Sequence, residues 1–250
     1  MVHRMLQFAV LGVSMAQVAA AGPAELDIPF ARDVIETSRG ELEIYFIGHA
    51  SLLMRLDEHV IYVDPLGRLA DFEPLPKADL VLITHYHGDH LDLAALSKIR
   101  KEETQVIVSA GCEGRLEGAI VLRNGETRVA LGLGIEAIPA YNLVHLREDG
   151  EPYHLKGEGN GYVVEIGTTR VYIAGDTENV PEMKALKNIA VAFLPMNLPY
   201  TMTPEMVADA ARAMRPGILY PYHYGDTDPA QLVALLKDAK DIEVRIRPMR

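Results

Sequence analysis

The chain has a single cysteine, Cys112, so it cannot close an intrachain disulfide and must be held together by a packed core. The lack of thiolates also excludes a structural zinc site of the cysteine type. Cys112 lies in Ser109-Ala110-Gly111-Cys112-Glu113-Gly114 at a predicted strand end, where inert packing outweighs the role of a nucleophile. Basic residues are scarce: 24 Lys and Arg stand against 35 Asp and Glu, for a formal net charge of -11. No basic stripe interrupts this excess, so nucleic acid and anionic membranes lose their usual electrostatic pull and are not expected as partners. There is no short repeat and no low-complexity tract. With 49% hydrophobic and 24% charged residues over 250 positions, the chain has the make-up of a soluble globular protein with a full core.

The first residues read differently. A short basic start, Met1-Val2-His3-Arg4, precedes a moderately apolar run from Met5 to Ala21. Val18-Ala19-Ala20 and Ala19-Ala20-Ala21 both fit a small-residue cleavage site, so residues 1–21 are expected to be a secretory signal. Export to a bacterial periplasm follows from that reading, and a cytoplasmic place if the segment is only a frayed helix. Residues 22–250 are expected to form one domain.

After an irregular approach from Gly22 to Arg39, strand patterns begin. Glu41–Ile47, Ser51–Leu56 and Val60–Val63 read as consecutive antiparallel strands. Asp79–Thr84 is a continuous apolar run suited to a strand buried on both faces. A helix over Leu91–Arg100, with Leu93, Leu96 and Ile99 on one face, leads to a strand over Gln105–Ser109. Shorter strands are predicted over Ile120–Arg123, Thr127–Ala130 and Gly134–Pro139, and a hairpin over Gly161–Ile166 and Thr169–Ala174. Helices over Pro181–Lys187, Pro204–Met214 (Thr203 as cap) and Pro229–Lys237 alternate with strands over Val191–Pro195, Ile218–Pro221 and Ile242–Ile246. Strands first, then strands alternating with helices, imply an α/β (α+β) architecture of two sheets with helices outside.

The most informative feature is His85-Tyr86-His87-Gly88-Asp89-His90, directly after the buried strand. Four donors on one short loop can point in two directions and so serve two adjacent cations. Imidazole and carboxylate suit zinc first, with manganese, nickel or iron compatible. Further donors stand at strand ends. Asp176, in Gly175-Asp176-Thr177, could bridge two metals or stabilise a bend. His223 ends a strand, and Asp64 could orient a ligand histidine from behind or merely open a turn.

Taken in order, Asp64, His85-x-His87-x-Asp89-His90, Gly175-Asp176-Thr177 and His223 resemble the motif set of the metallo-β-lactamase superfamily. Ile47-Gly48-His49-Ala50-Ser51, Pro139-Ala140-Tyr141-Asn142, Gly161-Tyr162 and Tyr200-Thr201-Met202 bring the chain closer to the branch that includes ascorbate-6-phosphate lactonase. The resemblance implies an αββα sandwich with metals at one edge of the sheets, bound by His85, His87, Asp89, His90, Asp176 and His223. In one place the chain departs from the family, which has a histidine where this sequence has Asn142, a weak ligand through its carbonyl oxygen only. His145, His154 or His49 could substitute. The expectation is one tight cation on Asp89, His90, Asp176 and His223, with a weaker second.

The expected activity is metal-dependent hydrolysis of an ester, lactone or phosphodiester in a small molecule. Asp89 would hold a metal or the attacking water, and His49, Tyr200 or the second cation would assist the leaving group. Tyr141, Tyr162, Met196 and Tyr200 are candidates to line the pocket. The rival reading is a non-catalytic metal or ligand binder on the same fold, which would show a filled coordination shell and no cleft.

Overall fold

The computed structural model describes residues 28–250, and the leader expected over residues 1–21 lies outside them. One sheet holds β1 (Ala31–Thr37), β2 (Gly40–Gly48), β3 (Ser51–Leu56), β4 (His59–Val63), β5 (Leu80–Ile83), β6 (Gln105–Val108) and β7 (Ile120–Val121), side by side in chain order. The other holds β8 (Thr127–Ala130), β9 (Leu133–Ala140), β10 (Gly159–Ile166), β11 (Thr169–Ile173), β12 (Ile189–Pro195), β13 (Ile218–Tyr222) and β14 (Glu243–Val244), again in chain order. In both sheets the first pairings are antiparallel and the later ones parallel. Connection length explains the switch. Tight turns can only reverse the chain, whereas parallel neighbours need a crossover. The crossovers that carry helices use α1 (Leu93–Ile99), α2 (Pro181–Lys184), α3 (Pro204–Met214) and α4 (Ala230–Leu235).

Side-chain alternation along β5 shows how the layers stack. Leu80 and Leu82 enter the core between the sheets, with Leu52, Met54, Ile61 and Val63. Val81 and Ile83 point the other way and pack under α1 against Ala95, Leu96 and Ile99. The far face of the second sheet is covered by α3, which buries Val207, Ala208, Ala211 and Met214. Thr203 caps that helix by accepting from the Met206 amide, with Pro204 in its first turn. The result is the expected helix–sheet–sheet–helix sandwich. Among the described residues, no helix is long and apolar enough to cross a membrane.

Several boundaries differ from expectation. Gly22–Arg39 was expected to be irregular, yet β1 pairs with β2 along its whole length. Its sequence hides this, because an edge strand with only Ile35 buried has almost no apolar alternation. Leu93 was expected on the buried face of α1 but is 50% exposed, since the helix starts at Leu93 behind the Asp92 cap and buries Ala95, Leu96 and Ile99. α2 and α4 end earlier than predicted, and β14 shrinks to Glu243–Val244.

The sheets are fastened together at the end of β5. The Asn160 amide donates to the Thr84 carbonyl (2.9 Å), and the Tyr162 hydroxyl donates to the Ile83 carbonyl (2.7 Å). Gly175, just past β11, takes φ +66°, and a Cβ there would lie 2.7 Å from the Asn160 carbonyl oxygen and 3.0 Å from Thr84 Cβ. Only glycine lets this turn come so close, and the turn delivers Asp176. Gly175→Ala should therefore lower unfolding free energy by about 2–5 kcal/mol in urea titration, combining left-handed strain with overpacking. An unchanged midpoint would show that the turn relaxes freely.

Candidate metal centre

Beyond Ile83 the chain leaves the sheet and folds into a short arch. The amides of His90 and Leu91 both donate to the His87 carbonyl (2.9 and 2.8 Å). The far foot is pinned by Asp92, whose Oδ1 accepts from the Ala94 and Ala95 amides and whose Oδ2 accepts from the Gly67 amide. The near foot is Thr84. Its amide donates to Asp64 Oδ1 (2.8 Å) and its hydroxyl to Asp64 Oδ2 (2.6 Å). Asp64 Oδ2 also lies 2.8 Å from His90 Nδ1. A carboxylate can only accept here, so His90 carries a proton on Nδ1 and turns Nε2 inward. Of the two openings left for Asp64, the geometry is that of a residue orienting a histidine from behind. His85 is held similarly, with Nδ1 3.0 Å from the Thr84 hydroxyl and Nε2 facing inward.

Tertiary folding brings four more residues to this arch. The donors form three overlapping groups: His85, His87 and His154; His49, Asp89, His90 and His223; and His85, His90 and Asp176, with donor atoms within 4.8 Å of one another in each. Asp176 lies between the first two. Its Oδ2 is 3.4 Å from His154 Nε2, 3.3 Å from His223 Nε2 and 4.0 Å from His85 Nε2, and its Oδ1 is 3.5 Å from His90 Nε2. His49 Nε2 is 3.1 Å from Asp89 Oδ2, and its ring centroid is 3.6 Å from that of His223. His49, Asp64 and His223 all adopt positive φ (54°, 43° and 44°), a conformation unusual for side chains this large. The surroundings enforce it, since the His223 amide donates to the His49 carbonyl and the His49 amide to the Arg250 carbonyl.

The open question around Asn142 has a geometric answer. His154, rather than Asn142 or His145, stands with His85 and His87. Asn142 sits behind it, with Oδ1 2.8 Å from His154 Nδ1. His145 faces away, with Nδ1 2.8 Å from Glu178. Sequence reasoning missed Glu178, Thr84, Arg68, Arg147 and Asn197. Only Glu178 had a local signal, an acid inside the buried stretch that follows Asp176.

The donor chemistry fits a cation. His90 Nε2 and Asp176 Oδ1 are fully buried and hydrogen-bond to nothing, although buried polar atoms are almost always paired. Burial pushes His85 well below the ordinary imidazole range and His154 down to about 4, so both are neutral, as ligation requires. Burial also opposes charge on His90 and Asp176. It is outweighed there: Asp176 and Asp64 hold His90 protonated, while His223 and His90 hold Asp176 ionised. Asp89 is likewise kept ionised against burial by the hydrogen bond from His49.

A cavity of about 450 Å³ opens over the cluster, lined by His49, His87, Asp89, His154, Asp176 and His223 and walled by Arg68, Arg147, Tyr153, Asn197 and Tyr200. Of the tyrosines and methionine expected at the pocket, Tyr200 lines it, whereas Tyr141, Tyr162 and Met196 belong to the core. Cys112 is buried under the first sheet, and burial pushes its thiol up, which suits packing. Asp64→Asn should weaken cation binding by roughly 10–100-fold in chelator competition, because the amide's NH₂ must face either the Thr84 backbone N–H or His90 Nδ1–H, both of them donors. Unchanged affinity would mean that His90 needs no partner behind it.

Residues 43–223 match the family model described as beta-lactamase superfamily domain. A UPF0173 metal-dependent hydrolase from Methanopyrus kandleri is 32% identical over 202 residues, 76% of this chain and 87% of that protein. A solved structure from Parabacteroides distasonis, named for a metal-dependent hydrolase, is 48% identical, covers 88% of this chain and 100% of its own, and superposes with a TM-score of 0.84. Igni18, a metallo hydrolase from Ignicoccus hospitalis, is 26% identical with a TM-score of 0.68, covering 84% and 96%. With this sandwich and this His/Asp cluster at its edge, the chain belongs to the β-lactamase superfamily, as one of its metal-dependent hydrolases.

Proposed function

We propose that the protein hydrolyses an ester, lactone or phosphodiester bond in a small, negatively charged molecule, using two divalent cations. The observation that carries this reading is Asp176, buried between two groups of donors and able to reach both. In the proposed assignment His85, His87 and His154 hold the first cation, Asp89, His90 and His223 hold the second, and Asp176 serves both. Zinc is the first choice for such a donor set, with manganese, iron or nickel compatible. A divalent cation in this setting acidifies water toward neutrality and polarises the bond under attack.

The chain's own residues supply orientation and proton handling. The Asp89 side chain is 38% exposed, the most open of the acidic donors, and can position attacking water from the cavity floor. His49, hydrogen-bonded to Asp89, is within reach to carry a proton to the departing oxygen. Arg68 and Arg147 give an acidic protein a cationic cavity wall, which favours an anionic substrate. Tyr153 and Tyr200 meet edge to face at 5.0 Å beside it and can cover the substrate's apolar part. The open cavity supports an enzyme over a non-catalytic binder, in which the ligands would close over the ion.

Metal analysis by mass spectrometry should find about two ions per chain, lost in large part by Asp176→Ala; no metal after reconstitution would sink the reading. On a panel of esters, lactones and phosphodiesters, Asp89→Ala should cut kcat by about 100-fold or more. Arg147→Ala should raise KM roughly 10-fold for anionic members and leave neutral ones unaffected. Equal effects on both would remove the charge-recognition part.

A further inference from the structure

We infer that Glu178, which belongs to neither donor group, decides whether the first cation can bind, by setting the tautomer of His154 through Asn142. The inference rests on the assignment of His154 to that cation.

Glu178 is fully buried. Its Oε2 accepts from the Leu143 and Val144 amides (2.7 and 2.8 Å), and its Oε1 accepts from the His145 amide (2.7 Å) and from Asn142 Nδ2 (3.1 Å). Three successive backbone amides converging on one carboxylate form a concave anion site, which the chain fills with its own acid. This clamp fixes the start of the loop between β9 and β10.

The consequence passes to Asn142. Its Nδ2 donates to Glu178 Oε1 and to the Tyr200 carbonyl (2.9 Å). Both neighbours are acceptors, so the amide can sit only one way round, with Oδ1 toward His154. Oδ1 accepts from the His154 amide (2.8 Å) and lies 2.8 Å from His154 Nδ1. The Asn142 amide in turn donates to the His154 carbonyl (3.0 Å), which ties the two positions together across the loop. An amide oxygen accepts from Nδ1, so the imidazole proton sits on Nδ1. His154 Nε2 is left with a lone pair facing the cluster, 3.4 Å from Asp176 Oδ2. Were the Asn142 amide reversed, its NH₂ would face Nδ1 and drive the proton to Nε2, where it would block the first cation. The polarity of a buried carboxylate two residues beyond Asp176 is thus transmitted through one amide to a metal ligand.

The test is zinc titration of metal-free protein with chelator competition, with ¹⁵N imidazole shifts recorded before zinc is added. Wild type should bind two zinc ions and show His154 as the Nδ1–H tautomer. Glu178→Gln keeps the size but places an NH₂ group inside the clamp. It should weaken one zinc by roughly 10–100-fold, leave the other within about threefold, and move His154 toward the Nε2–H tautomer. Asn142→Ala, which leaves all three backbone amides on Glu178, should weaken the same zinc and covers the case in which Glu178→Gln fails to fold. His154→Ala should lose that zinc outright. Wild-type binding of both ions by Glu178→Gln and Asn142→Ala would overturn the inference, as would equal weakening of the two sites. A His154→Ala variant that still binds two zinc ions would instead overturn the assignment beneath it, and wild type that binds none would overturn the functional reading.

Discussion

Thr84 is the residue on which the site's construction turns. Its amide and hydroxyl both donate to Asp64, its carbonyl accepts from Asn160 in the other sheet, and its Cβ packs against the left-handed Gly175. One position therefore joins the two sheets, orients the acid behind His90 and sets how closely the Asp176 turn can approach. The donors come from loops that are far apart in sequence: the arch, the Asp176 turn and the loop that runs into β10 meet at this point, while His49 and His223 are tied to each other through the backbone. That rigidity matters because a metal site tolerates only small errors in donor position.

The second constraint is charge. Asp64 and Asp176 are buried among histidines, with Asp89 at the cavity floor. Burial works against ionisation at Asp89 and Asp176, and both stay ionised only because neighbouring imidazoles donate to them or carry charge. Such a cluster is costly without compensation, and two buried atoms, His90 Nε2 and Asp176 Oδ1, are left without hydrogen bonds. Three site residues also adopt left-handed backbone conformations. Unpaired polar atoms and backbone strain gathered in one place mark a site shaped for binding rather than for stability.

A third layer lies behind the donors. Asp64 orients His90, Asn142 orients His154, and Glu178 orients Asn142, so each ligand imidazole of this set presents the nitrogen that faces the cluster. In the proposed assignment, the change from a histidine to Asn142, at a position where the resembled family carries a ligand, therefore does not leave a gap. The imidazole arrives from the other end of the same loop, and the amide becomes the group that aims it.

Much of this was legible in the chain. The apolar run Leu80–Ile83 followed at once by His85, His87, Asp89 and His90 fixes both a buried strand and a donor-rich arch, because strand burial and ligand spacing are local properties. The same holds for the antiparallel strands β2 to β4 and for α3 with its Thr203 cap. Only the tertiary structure decided the rest. β1 has too little apolar alternation to be read as a strand, and it exists because β2 offers a pairing edge. Whether Asn142, His145 or His154 would stand beside His85 depends on how the loop from residue 141 to residue 158 closes, and its start is clamped by Glu178, which lies beyond the hairpin of β10 and β11. Sequence records which groups are present and their local period; hydrogen bonds between residues remote in the chain choose which way each one points.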